Sequence, residues 1–225
     1  MLVKPRIPAV EGSLKLTLQA LMAAYFRRIY LSGYEGFSQE LSTQAKAGPV
    51  IFYGNHPSWW DGFLDYILAR HYGLCPWIMM EQVNLRRYPL FQYAGVFGVD
   101  NTTSRGKAVS LLHAQRLLEQ GPGNTLIIYP HGRLVPAYEP WPEFLPGVGH
   151  LLKRVPGLLA FPVHRRLHIR DHARPEAWLE VGPPLSEGAT NDDLESGLLQ
   201  AADAQRDKLL GDANWLVLRS GSNFK

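Results

Sequence analysis

Six short apolar-rich runs recur along the chain, at residues 50–53, 77–80, 96–99, 126–129, 158–163 and 178–181. Runs this short, set off mostly by Gly, Pro or a charged or polar residue, read as strands covered on both faces. Between them, residues 59–71, 107–120 and 144–154 carry a helical period, and a last helix is expected from Thr190 or Asn191, with Leu194, Leu198 and Leu199 on its inner face. Strands alternating with helices of this length predict an α/β fold, a largely parallel mixed sheet flanked by helices. No internal repeat and no long linker interrupts the pattern. The 225 residues are therefore expected to form one acting domain, residues 33–225, preceded by an amphipathic helix within residues 1–32.

That first helix is expected over residues 13–31. Leu14, Leu18, Leu21, Met22, Tyr25 and Ile29 follow three- and four-residue steps, and Gly33 stops them. The segments 1–31 and 151–174 are basic, whereas 186–212 is acidic. A net charge of +3 is too small to argue for nucleic acid. The uneven placement instead predicts a cytoplasmic protein whose surface meets the inner face of the membrane peripherally. No stretch reaches the roughly 18 apolar residues of a membrane span, and no cleavable signal is expected. The single cysteine, Cys75, excludes an internal disulfide and fits a reducing compartment and a place in the core.

The stretch most able to carry chemistry is Tyr53-Gly54-Asn55-His56-Pro57-Ser58-Trp59-Trp60-Asp61-Gly62. It runs from a predicted strand into a predicted helix, where sites in open α/β sheets lie. Pro57 biases His56 away from helical geometry and suits the first helical position itself. Were His56 and Asp61 in one regular helix, they would point about 140° apart. With His56 in the turn and Asp61 in the first helical turns, the two side chains can meet. Asp61 would then fix the imidazole tautomer and leave the other nitrogen as a base.

The order of motifs resembles that of the glycerolipid acyltransferases, the lysophosphatidic acid acyltransferase-like family. Asn55-His56, with Asp61 five residues after the His, resembles their first signature. Gly33-Tyr34-Glu35-Gly36 resembles the segment that precedes the first strand. Residues 95–101 resemble the second motif, Leu126-Ile127-Ile128-Tyr129-Pro130-His131-Gly132-Arg133 the third, and Phe161-Pro162-Val163 the fourth. The resemblance implies an acyltransferase in which His56 is the base and Asp61 its orienting partner. It also implies that Asn55, Arg105, His131, Gly132 and Arg133 surround the substrate, with backbone amides beside Gly132 near the developing oxyanion. The donor would be acyl-CoA or acyl carrier protein and the acceptor a lipid or glycerol-based alcohol, with no metal and no other cofactor. A lipid carrier without activity, or a thioesterase using water, are the competing expectations.

Two departures bear on the acceptor. His131 stands where the family has Glu, and Asn101 where it has Arg, with Arg105 following in a stretch, residues 101–106, that reads as a flexible loop. A more basic pocket, and an acceptor other than lysophosphatidic acid, are the expectation. Trp59 and Trp60 flank the base, so one of them should face the site. His168 and His172 are four apart but lack the intervening Glu of a zinc helix, and with His164 they are expected at the surface.

Overall fold

The computed structural model describes residues 5–170, 172–211 and 215–220. Lys4, Asp171 and Asp212, charged residues of the segments 1–31, 151–174 and 186–212, lie outside these, as do the side chains of Leu14 and Lys15. Eight strands form one sheet: β1 (Arg28–Gly33), β2 (Val50–Gly54), β3 (Cys75–Glu81), β4 (Val96–Val99), β5 (Asn124–Ile128), β6 (Leu159–His168), β7 (Glu176–Val181) and β8 (Leu216–Ser220). Their order is β4-β3-β5-β2-β6-β7-β1-β8. The run from β4 to β6 is parallel, as is β7 with β1, whereas β6–β7 and β1–β8 are antiparallel. The fold is α/β with a mixed, mostly parallel sheet, as the alternation of apolar runs predicts.

Helices cover both faces. On one side α1 (Pro8–Tyr25), α2 (Phe37–Ala47) and α3 (Asp61–His71) bring Met22, Leu41, Leu64 and Leu68 against Val50 and Phe52. On the other, α5 (Ser104–Leu118), α6 (Gly147–Leu152) and α7 (Asn191–Leu210) bring Leu117, Leu151, Leu194 and Leu198 against Ile51 and Tyr53. Successive β2 residues thus serve opposite cores, which is why this strand is apolar throughout and sits mid-sheet. The last helix begins where expected: Thr190 and Asp193 form a reciprocal capping box. The short α4 (Gln82–Arg87) and a 3-10 turn (Pro89–Ala94) connect β3 to β4.

The N-terminal helix requires correction. It ends at Tyr25, and residues 28–33 form a strand. Ile29, Tyr30 and Leu31 pair in parallel with Ala177, Trp178 and Leu179, and the Tyr30 and Trp178 rings stack at 3.9 Å. A β-branched and an aromatic residue prefer that pleated, buried surface to a seventh helical turn. Arg27 and Arg28 therefore leave the amphipathic helix. Residues 101–106 also differ from expectation, since the Thr103 hydroxyl caps α5 by accepting from the Gly106 amide at 2.9 Å and Arg105 lies in the first helical turn. Among the described residues no helix is long and apolar enough to cross a membrane.

Candidate active site

β2 ends at Gly54, and the chain turns through Asn55 and His56 before α3 begins at Asp61. The expected pair forms: His56 Nδ1 lies 2.8 Å from Asp61 Oδ2, which also accepts the Ser58 amide at 2.9 Å. Asp61 is fully buried, whereas the His56 side chain keeps 21% of its exposure. A buried carboxylate on Nδ1 selects the tautomer with the proton on that nitrogen, so Nε2 is the acceptor of protons. The Val135 amide donates to the His56 carbonyl at 2.9 Å, tying His56 to the segment after β5.

Behind the pair lies a polar network that sequence reasoning missed. Arg165 of β6 is wholly buried and grips Asp65 of α3 through Nε at 2.7 Å and Nη2 at 2.6 Å. Its Nη1 donates to the carbonyls of Asn55 and Val163, at 2.9 and 2.8 Å. The Tyr129 hydroxyl donates to Asp65 Oδ2 at 2.9 Å. Burial, with Asp65 beside it, holds that phenol well above its ordinary range, so it remains a donor. Burial also pushes the Asp65 carboxyl upward, with the Arg165 charge acting against it. Gly54 makes room for this: a Cβ there would collide with the Val163 carbonyl and the Arg165 guanidinium. Arg165 and His164, expected on a basic surface, are buried instead. The signals that were available are Asp65, one helical turn from Asp61, and the glycine before Asn55.

His56 opens onto a cavity of about 730 Å³, within the range of small-molecule sites. Leu18, Phe63, Ile78, Met80, Phe91 and Val96 make its wall largely apolar, and Trp59 lines it together with His56. Trp60 turns away to pack on Tyr25 and Phe26. Thr17, Leu18 and Leu21 place one face of α1 in that wall. Lys107, Arg133 and Asn101 are among its polar members.

The remaining expected residues divide. Gly132 and Arg133 line the cavity, with Gly132 in the left-handed region at φ 70°. The Gly132 amide is already engaged by the Tyr129 carbonyl at 3.0 Å, so an oxyanion would have to use another donor. Arg133 bonds loosely to Glu139 at 3.3 Å. Asn55 is buried outside the wall, its amide bridging the backbone N–H and carbonyl of Arg165, both at 2.8 Å. Arg105 is exposed on α5 and does not border the cavity; Lys107, two residues on, does. His131 is buried behind the wall, against Phe144 and Trp141, with ring centroids 5.0 and 6.0 Å away.

Burial pushes His131 down to about 4 against the pull of Glu195, and pushes His164 down to about 4 against the bond its Nδ1 donates to Gln205 Oε1. Both imidazoles are neutral in the fold at pH 7, so His131 adds no charge near the cavity. In the unfolded chain each would take a proton near 6.5, so between about 4 and 6.5 the unfolded state binds more protons. Stability is then full above that window and falls as pH drops through it, by roughly 1.4 kcal/mol per histidine at pH 5.5. Thermal melts from pH 7 to 5 should show the drop, and His131→Leu and His164→Leu should each flatten it. An unchanged slope in both variants would contradict this assignment.

No curated protein matches the chain significantly. A family model described as Acyltransferase matches residues 30–164, a stretch that holds His56, Asp61, the turn at Gly132 and most of the cavity wall. The chain belongs to the acyltransferase family.

Proposed function

We propose that the protein moves a fatty acyl group from acyl-CoA or acyl carrier protein to a hydroxyl of a lipid or glycerol-based acceptor. The observation that carries this reading is the His56–Asp61 pair opening onto a large, mostly apolar cavity that also holds Lys107 and Arg133. His56 Nε2 takes the acceptor's hydroxyl proton as its oxygen attacks the thioester carbonyl. The tetrahedral oxyanion collapses, breaks the carbon–sulfur bond, and the leaving thiolate takes the proton from the imidazolium. Asp61 holds the ring and balances its transient charge. The apolar wall accommodates the acyl chain, and Lys107 with Arg133 meets an anionic headgroup. Exposed Leu21 and Tyr25, about 40° apart around α1, suit an association with the inner face of a membrane, peripheral rather than spanning.

The test is incubation of the purified protein with acyl-CoA or acyl carrier protein and a total lipid extract, read by mass spectrometry for a new ester. An acylated lipid supports the reading; lipid bound tightly without turnover supports a carrier instead. Lys107→Ala and Arg133→Ala should each raise the acceptor KM about 10-fold with little change in kcat, as a lost charge-assisted bond predicts. Unchanged KM values would remove these two residues from headgroup binding.

A further inference from the structure

The His56 imidazole lies face to face with the Tyr129 ring, the centroids 3.9 Å apart and the planes within 7°. This contact differs in kind from the bond to Asp61. A hydrogen bond to Nδ1 lies in the ring plane and resists movement of one edge; it leaves the imidazole free to rock about that edge. A ring against its face restrains the rocking.

Tyr129 is itself held. Its hydroxyl reaches Asp65, Asp65 is clamped by two N–H groups of Arg165, and the Arg165 guanidinium carbon lies 5.1 Å from the Tyr129 centroid. The same guanidinium donates to the carbonyl of Asn55, the residue directly before His56. One buried ion pair therefore anchors both the ring against the base and the backbone that delivers it. Tyr129 also borders the cavity, so it is no ordinary core aromatic.

We propose that Tyr129 is a positioning residue for the general base: its ring fixes the plane of His56, so that Nε2 keeps one direction into the cavity, and the Asp65–Arg165 pair anchors that ring. The aromatic face also attracts a cation, so the contact is stronger once the imidazole has taken the acceptor's proton than before. The inference rests on the reading of His56 as the base.

The experiment compares Tyr129→Leu, which removes the ring, with Tyr129→Phe, which keeps the ring and loses the hydroxyl. Loss of orientation should lower kcat about 10- to 100-fold in Tyr129→Leu with donor and acceptor KM within about threefold of wild type, while Tyr129→Phe retains kcat within about threefold. Full kcat in Tyr129→Leu overturns the proposal. So does Tyr129→Phe falling as far as Tyr129→Leu, since the hydroxyl rather than the ring would then matter.

A second measurement does not depend on turnover or on the Tyr129 variants folding. The imidazole proton resonances of His56, assigned by their loss in His56→Ala, should be displaced upfield by the Tyr129 ring current in wild type. Displaced resonances support the stack, and undisplaced ones overturn it. Should wild type transfer no acyl group, the reading of the site fails, and the resonances still decide the stack in the same way.

Discussion

His56→Ala is expected to lower kcat about 10²–10⁴-fold, the usual contribution of a positioned general base. The size follows from the geometry: among the described residues the cavity wall includes no second histidine, and His56 is the one held by a buried carboxylate at 2.8 Å. The variant should remain folded. His56 keeps a fifth of its side-chain exposure and lies in a turn, while Asp61, left behind, still accepts the Ser58 amide. Losing one partner of a buried carboxylate costs about 1–3 kcal/mol, which a chain of this size absorbs. Asp61→Asn should damage turnover less, yet clearly. An amide placed at Nδ1 can donate there, which would put the ring proton on Nε2, the wrong nitrogen for a base. Circular dichroism and steady-state kinetics on both variants check the pair; a folded His56→Ala protein with near-full kcat would sink the general-base mechanism.

Arg165→Met is expected to destabilise the protein by about 3–5 kcal/mol, because it strands Asp65 as an unpaired buried carboxylate. Asp65 and the Arg165 side chain have no solvent exposure, so water cannot take the lost partner's place. The carbonyls of Asn55 and Val163 lose a donor at the same time. For a chain of this length the melting temperature should fall roughly 6–20 °C. The double variant Arg165→Met/Asp65→Leu removes both charges and should recover much of that loss, since apolar replacements of a buried pair are often close to neutral. Thermal melts of the three proteins decide it. A single variant within about 1 kcal/mol of wild type, or a double variant no better than the single, would contradict a charged, mutually dependent pair.

What could be read before the structure and what could not divides on sequence distance. β2 and β5 are legible because mid-sheet parallel strands are apolar on both faces, and β4, at the sheet edge, because it too is wholly buried; the turn from β2 to α3 is legible because His56, Pro57 and Asp61 are close in the chain. β1 is not. Its Ile29 keeps step with the helix before it, and only pairing with β7, almost 150 residues later, makes it a strand. The network behind His56 is hidden for the same reason: Arg165 meets Asp65 across 100 residues, and beside Arg166 it reads as one more surface charge. At the third motif, the left-handed turn at Gly132 separates its neighbours, sending Arg133 to the cavity wall and His131 behind it. Helical spacing does the same on α5, where Lys107 borders the cavity and Arg105 does not.

In the proposed reaction the acyl group passes from a thioester to a hydroxyl under His56. This transfer is tested most directly by counting free thiol and ester product together, from acyl-CoA or acyl carrier protein, with and without the lipid acceptor identified in the extract. One ester is expected for each thiol released, with negligible thiol release when the acceptor is withheld and loss of both signals in His56→Ala. Thiol released at the same rate without acceptor, and no ester, would mean that water is the acyl acceptor and would contradict transfer to a hydroxyl.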